Sequence, residues 1–228
     1  MKKSACVVLL IIMLLLAMPP VSGAYVYYNP TTQHWYELVS STPTQADWDA
    51  WRDQGLIENT DNPAWYSSWT VAERNAVATG GHLVTINNQA ENEWLVTTFG
   101  SQVRKGVFIG LYQPPGSSEP AGGWRWLTGE DTSLWANWGT GEPNNAPHYE
   151  YGAENFGGMF INWTVDGVDQ TGRWNDLRFL LSKLELGEDY YRYGIAEYNT
   201  NPVPIPPAAW LLGSGLIGLV AIRRRFKK

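Results

Sequence analysis

The chain has 228 residues, a net charge of −6, thirteen tryptophans, three histidines and one cysteine. This length suits one domain with appended segments, and the acidic balance argues against a nucleic-acid or anionic-lipid partner. A lone Cys6 excludes a disulfide scaffold and a Cys/His zinc site.

In chain order, Lys2 and Lys3 precede an apolar run from Cys6 to Met18 and then Val21-Ser22-Gly23-Ala24. A basic start, a short apolar stretch and small residues at a cut point predict a signal peptide over 1–24, cleaved between Ala24 and Tyr25. The run is shorter than the ~20 residues a spanning helix needs. The domain follows over 25–201. His34 to Ser40 alternates as a first strand, and about 41–68 reads as a polar, tryptophan-dotted insertion with a short helix from Gln45. Thr70-Val71-Ala72-Glu73 has the form of a capping box opening a helix that Gly80-Gly81 stops. His82 to Ile86 is a strand, and Asn88 with Glu91 caps a second helix carrying Trp94, Leu95 and Phe99. Strands are then predicted at Val107–Leu111, Trp124–Leu127, Met159–Trp163, Gly172–Asp176 and Tyr193–Tyr198. Early helices and late short strands around a Gly/Pro/Asn-rich stretch give an α+β class with a long irregular loop region.

That loop region holds Glu142-Pro143-Asn144, and Trp174-Asn175-Asp176 follows thirty residues on. Both present carboxylate and carboxamide oxygens on short backbone stretches, as a calcium ion needs for its six to eight oxygen ligands at about 2.3–2.6 Å. The same residues are also ordinary turn formers. An X-Pro bond that turns cis would aim the side chains flanking Pro143 one way.

The chain closes with prolines at 202, 204, 206 and 207, an apolar run over 208–222, and Arg223-Arg224-Arg225-Phe226-Lys227-Lys228. As a helix the run reaches about 22 Å against a hydrocarbon core of about 30 Å, short for a permanent anchor. Val203-Pro204-Ile205-Pro206 with Ala209-Trp210-Leu211-Leu212-Gly213-Ser214-Gly215 and the basic end resembles the PEP-CTERM sorting tails, in their VPLPA-like variant. That resemblance implies that 202–228 enters the membrane transiently through 208–222 and is cut by an exosortase-type transpeptidase. It also implies the surface or extracellular matrix of an exopolysaccharide-making Gram-negative bacterium; a plain single-pass anchor is the alternative. Two of the sixteen basic residues precede residue 25 and five follow residue 222. Nine therefore face twenty-two acids in the domain, a balance of −13. No His pair, G-x-S-x-G, P-loop or dinucleotide turn is present, so the expectation is not an enzyme.

The order of these pieces resembles the C-type lectin-like domain over roughly 33–199. His34-Trp35-Tyr36-Glu37-Leu38, the passage from Ala72 through Gly81-His82-Leu83-Val84-Thr85-Ile86, and Glu93-Trp94-Leu95 fit its opening. Phe108-Ile109-Gly110-Leu111 stands for its W-I-G-L strand, Trp124-Arg125-Trp126-Leu127-Thr128-Gly129-Glu130 for its W-x-W-x-x-G segment, and Trp138 for its N-W. The resemblance implies a Ca2+ site of Glu142, Asn144, Asn175 and Asp176 with Pro143 cis. A further acid is expected from Glu154, whose Glu154-Asn155-Phe156 context matches with Phe156 in a cysteine slot, or from Glu150, whose spacing matches. It implies that Glu142, Asn144, Asn175 and Asp176 also bind sugar hydroxyls, with His148 or Tyr149 against the ring. Glu-Pro-Asn implies mannose- or glucose-type equatorial hydroxyls on an exopolysaccharide or cell-surface glycan. The family's disulfides are absent, which leaves open a lectin-like module for protein interaction or matrix structure, with calcium only ordering the loop.

Overall fold

The computed structural model describes residues 25–58, 61–146, 152–182 and 191–202. The expected signal peptide, the membrane segment 208–222, and His148, Tyr149 and Glu150 lie outside the described residues. No helix among the described residues is long and apolar enough to cross a membrane.

Strands β1 (Tyr27–Asn29) and β2 (His34–Ser40) form an antiparallel hairpin. Helix α1 (Gln45–Asp53) starts at a reciprocal cap: Asp47 N donates to Thr44 Oγ1, and Thr44 N donates to the Asp47 carboxylate at 2.8 Å. A 3-10 turn (Pro63–Trp65) leads into β3 (Tyr66–Ser68), α2 (Trp69–Ala78) and β4 (His82–Leu83). Helix α3 (Gln89–Phe99) is capped by Asn88, whose Oδ1 accepts from Glu91 N at 3.0 Å. Strands β5 (Gly106–Tyr112), β6 (Arg125–Trp126) and β7 (Phe156–Phe160) follow. A small hairpin of β8 (Thr164–Val165) and β9 (Val168–Asp169) precedes β10 (Trp174–Leu177), β11 (Leu180–Ser182) and β12 (Tyr193–Tyr198).

The main sheet runs β1-β2-β12-β5-β7-β10, with β4 added on β12 and β6 on β5. Strand β12 pairs antiparallel with β2 along its whole length, from Tyr193 opposite Ser40 to Tyr198 opposite Trp35. It also runs parallel to β5 at Tyr193 and Gly194. The second and last strands of the domain therefore meet inside the sheet. Successive residues of β5 point to opposite faces. Val107, Ile109 and Leu111 accordingly join Leu95, Phe99, Trp126 and Trp174 in one core. Phe108 joins Trp69, Ala72, Leu177 and Tyr191 in the other. Burial on both faces explains why this strand reads as a continuous apolar run rather than an alternating one. A third cluster of Trp48, Ile57, Tyr66 and Leu180 seats the segment around α1. On β7, a Cβ at Gly158 would come within 2.4 Å of Leu177 and Tyr191, so the neighbouring strand and ring approach only because no side chain is there.

Several expectations need correction: the strand expected at Met159–Trp163 lies at Phe156–Phe160, that expected at Gly172–Asp176 at Trp174–Leu177, and two more fail where a side chain takes a backbone partner. Residues 70–73 do not form a capping box. Helix α2 starts at Trp69 without a side-chain cap bond, and Thr70 Oγ1 pairs with Ser68 Oγ. Glu73 turns instead to His82 Nδ1 (2.7 Å) and Leu83 N (2.8 Å), anchoring the strand that follows. Strand β4 ends at Leu83, and the backbone bonding to β12 ends at Val84, whose N donates to Ile195 O at 2.8 Å. It stops there rather than at Ile86 because Thr85 N donates to the Glu197 side chain at 3.0 Å instead of to a strand carbonyl.

Glu197 belongs to a buried acidic group. Tyr36 Oη donates to Glu91 Oε1 (2.9 Å) and lies 3.3 Å from Glu197 Oε1, which also meets His34 Nδ1 at 2.5 Å. Burial, with the charge of Glu197 as a smaller contribution, lifts the Glu91 carboxyl from 4.5 to about 6 despite the Asn87 N–H it accepts. The folded state thus binds this proton more tightly than the unfolded chain. Its contribution is complete below pH 4.5 and is lost as pH rises through about 6. The expected loss is about 2 kcal/mol. Glu91→Gln is expected to flatten the pH dependence of urea-unfolding free energy between pH 4.5 and 7 by that amount; an unchanged slope would show that Glu91 titrates normally.

Candidate functional site

Strand β10 ends the main sheet, with Trp174, Asn175 and Asp176 opposite Met159, Gly158 and Gly157 of β7. On its other side the chain at 137–139 lies alongside: Trp174 N donates to Asn137 O, and Gly139 N donates to Trp174 O, both at 2.8 Å. The Trp174 indole, 1% exposed, is met edge-on by Trp126 (5.4 Å), Trp135 (5.1 Å) and Trp138 (6.0 Å). Its Nε1 donates to Asn92 Oδ1 on α3 at 3.0 Å. The start of the long loop is thereby fixed to the strand that carries Asn175 and Asp176.

From that fixed point Glu142 N donates to Gly139 O, and the Glu142–Pro143 peptide bond is cis. The Asp176 carboxylate, fully buried, accepts from Asn144 N at 3.0 Å and from Asn145 N at 2.7 Å. Asn145 sits in the left-handed region (φ 46°), and its Oδ1 accepts from Glu154 N at 2.9 Å. Glu154, 8% exposed, accepts in turn from Ala146 N at 2.8 Å. Asp176 on β10 and Glu154, two residues before β7, thus hold three consecutive loop amides.

The remaining groups gather on Glu142. The Asn175 amide abuts the Glu142 carboxylate; with its nitrogen turned toward Glu142 it donates to Oε1 (2.9 Å) and Oε2 (3.2 Å), and the Asn144 side chain also hydrogen-bonds this carboxylate. Partial burial, then the adjoining Asp176 carboxyl with which it shares a hydrogen bond, lift the Glu142 carboxyl from 4.5 to about 8. Glu154 rises to about 7, chiefly through burial and further through Asp176, with Ala146 N–H and Arg178 opposing. Glu142, Asn144, Asn175 and Asp176 are therefore brought together, with Glu154 one loop-width away. Glu150 and His148, the other expected contributors, lie outside the described residues. Among the described residues, no group of three or more His, Cys, Asp or Glu side chains is placed to hold a metal by itself.

The donor set suits a hard cation. Glu142 and Glu154 are held at raised pKa beside the Asp176 carboxylate, a state that positive charge would relieve. The Asn175 amide adjoins Glu142 so closely that turning its oxygen over would oppose like charge unless a cation lay between. The role of Asn145 and Ala146 as loop ties was not foreseen. Only the left-handed tolerance of asparagine hinted at it.

Residues 66–176 match the Lectin C-type domain family, a span that includes Glu142, Asn144, Glu154, Asn175 and Asp176. The human scavenger receptor C-type lectin carbohydrate-recognition domain superposes with a TM-score of 0.50 at 19% identity, over 81% of this chain and 100% of that one. The fold is C-type lectin-like. Among curated proteins the chain is similar to human C-type lectin domain family 10 member A, 30% identical over 125 residues, which cover 53% of this chain and 34% of that protein. It is also similar to a perlucin-like protein of Mytilus galloprovincialis, 27% identical over 109 residues, 47% of this chain and 65% of the relative. The chain thus spans less than two thirds of either relative's length. Domains of the matched family are generally carbohydrate-binding modules and typically not enzymes.

Two substitutions should move the stability of the cation-free protein in opposite directions. At pH 9, where Glu142 is ionised beside Asp176, Glu142→Gln replaces repulsion with a donor and is expected to raise the thermal midpoint by roughly 2 °C. Asp176→Asn turns a donor toward the loop N–H groups and is expected to cost about 1–3 kcal/mol. Melting both variants in chelator checks the pair. Equal shifts of the same sign would show that the two carboxyls do not face each other.

Proposed function

We propose that the domain is a calcium-dependent carbohydrate-binding module, exported and displayed on or around the cell, where it holds exopolysaccharide or a cell-surface glycan. The observation that carries this reading is the gathering of Asn144, Asn175 and Asp176 around the Glu142 carboxylate. Glu142, Asn144, Asn175 and Asp176 would hold the ion, with Glu154 or Glu150 as a further acid. Calcium, when bound, supplies positive charge to which a pair of neighbouring sugar hydroxyls is drawn. Glu142 and Asp176 then accept hydrogen bonds from those hydroxyls, while the Asn144 and Asn175 amides donate to them. The residues that bind the ion thus also orient the sugar. The Glu142-Pro143-Asn144 order favours the equatorial hydroxyl pair of mannose- or glucose-type residues. Export rests on the signal-like segment 1–24, and display on the sorting-type tail 202–228 with an exosortase-type partner.

One observation favours a second reading. The Asp176 carboxylate is already engaged by Asn144 N and Asn145 N. A cation there would reinforce an existing loop conformation, as in a lectin-like module for protein interaction or matrix structure that binds no sugar.

Thermal melts with calcium, with chelator, and with a monosaccharide panel decide between them. Calcium at about a hundred times its Kd is expected to add about 2.7 kcal/mol of stability. Mannose or glucose should add more, only when calcium is present, and Asn144→Asp should remove the sugar increment. Stabilisation by calcium without any sugar effect would leave only the loop-ordering reading. No calcium effect would sink both.

A further inference from the structure

A cavity of about 320 Å³ opens beside the candidate cation site and shares Glu142 with it. Its remaining walls come from Gly139 and Thr140 on the loop, Phe160 at the end of β7, Gln170, and the β8–β9 hairpin through Val165, Asp166 and Val168. The volume lies at the small end of ligand pockets, about 300–1,000 Å³.

Three features mark it as built rather than incidental. First, Gln170 is 9% exposed, and its side-chain amide borders the cavity, with Oε1 beside Gly139. An amide at the cavity wall offers both a donor and an acceptor to a group that enters. Second, Gly139 keeps the space open. A Cβ there would approach Gln170 Oε1 to 3.3 Å, Trp174 O to 3.3 Å and Glu142 Cγ to 3.4 Å. Third, the hairpin stands apart from the main sheet, turning through Asp166 and Gly167 at positive φ. It holds Val165 and Val168 side by side at 42% and 56% exposure, outside every core cluster. Its base is fixed by Gln170 N donating to Trp163 O at 2.8 Å and by the stacking of Trp163 on Phe160.

The chemistry of the walls selects the guest. Two carboxylates, an amide and a hydroxyl accept from or donate to hydroxyl groups, while the valines and Phe160 suit the C–H face of a ring. Among the described residues no basic side chain lines the cavity, so a uronic acid or phosphate would meet the Asp166 carboxylate, of its own sign. We propose that this cavity is a second sugar subsite that holds the neutral residue next to the one at the cation, so that the domain reads two consecutive residues of a polysaccharide. This rests on the calcium-dependent sugar reading above. Gln170 is the polar anchor of the subsite, and the hairpin valines form its apolar wall.

The test is calorimetric titration in calcium with mannose against α-linked mannotriose, and with glucose against maltotriose. The greater number of residues per trisaccharide raises apparent affinity only about threefold. An occupied subsite is expected to give about tenfold or more for one of the two pairs. Gln170→Ala, and separately the surface change Val168→Ser, should reduce that advantage to the statistical level and leave monosaccharide affinity unaltered. No advantage beyond the statistical one, or variants that keep it, would overturn the subsite. Variants that weaken monosaccharide and trisaccharide equally would overturn it too, by placing Gln170 in the cation site. If trisaccharide binding persists in chelator and is still lost in Gln170→Ala, the subsite stands and the calcium reading falls. Absence of all sugar binding overturns both.

Discussion

The seating of the Trp174 indole is the interaction on which the rest of the site depends. Its ring is packed edge-on by three other indoles, and its nitrogen is bonded to Asn92 on a helix. Each such aromatic contact is worth about 0.5–1.5 kcal/mol beyond the area it buries. The same residue takes the loop backbone at Asn137 and Gly139 through both its N–H and its carbonyl. A loop rich in glycine, proline and asparagine, with little apolar content of its own, thus acquires a fixed starting point. One and two residues further along β10, Asn175 and Asp176 share that fixed frame.

The loop is then closed by charge rather than by covalent links. Asp176 holds Asn144 and Asn145, and Glu154 holds Ala146. Carboxylates that accept backbone N–H groups are effective ties, and these two are nearly or fully buried. Their drawback is mutual repulsion, visible in the raised Glu142 and Glu154 carboxyls. The arrangement is therefore tense without a counter-ion, which distinguishes it from a neutral network of the same shape. The Tyr36–Glu91–Glu197 group handles the same difficulty differently. There His34 and the hydroxyl of Tyr36 accompany the two acids, and the group is given over to packing.

Much of this was legible in the sequence, and the exceptions share a cause. Strands 34–40 and 193–198 were expected at the bounds observed, because both are rich in the aromatic and branched residues that strands favour. The Asn88 cap was legible on equally local grounds. Where a side chain took over a backbone partner, the local pattern misled: Glu73 left the helix start for His82 and Leu83, and Glu197 replaced a strand carbonyl at Thr85. The β8–β9 hairpin was missed although Val165-Asp166-Gly167-Val168 carries the Asp-Gly turn signal. In the candidate site, residue identities were legible from Glu142 to Asp176. That Asp176 would be wholly buried under loop amides thirty residues away was not, because burial of a polar residue is set by what folds over it.

The tryptophan cluster makes the loop optically visible. Trp135 and Trp138 belong to the loop, whereas Trp126 and Trp174 belong to the sheet, and their rings meet nearly at right angles. Indoles held this close in a fixed asymmetric arrangement share their excited states and give a strong near-ultraviolet circular dichroism signal. Loosening of the loop by a few ångströms would weaken that signal while the strands, and the far-ultraviolet spectrum, stayed as they were. The protein thus carries its own label for the state of the segment that holds Glu142 and Asn144.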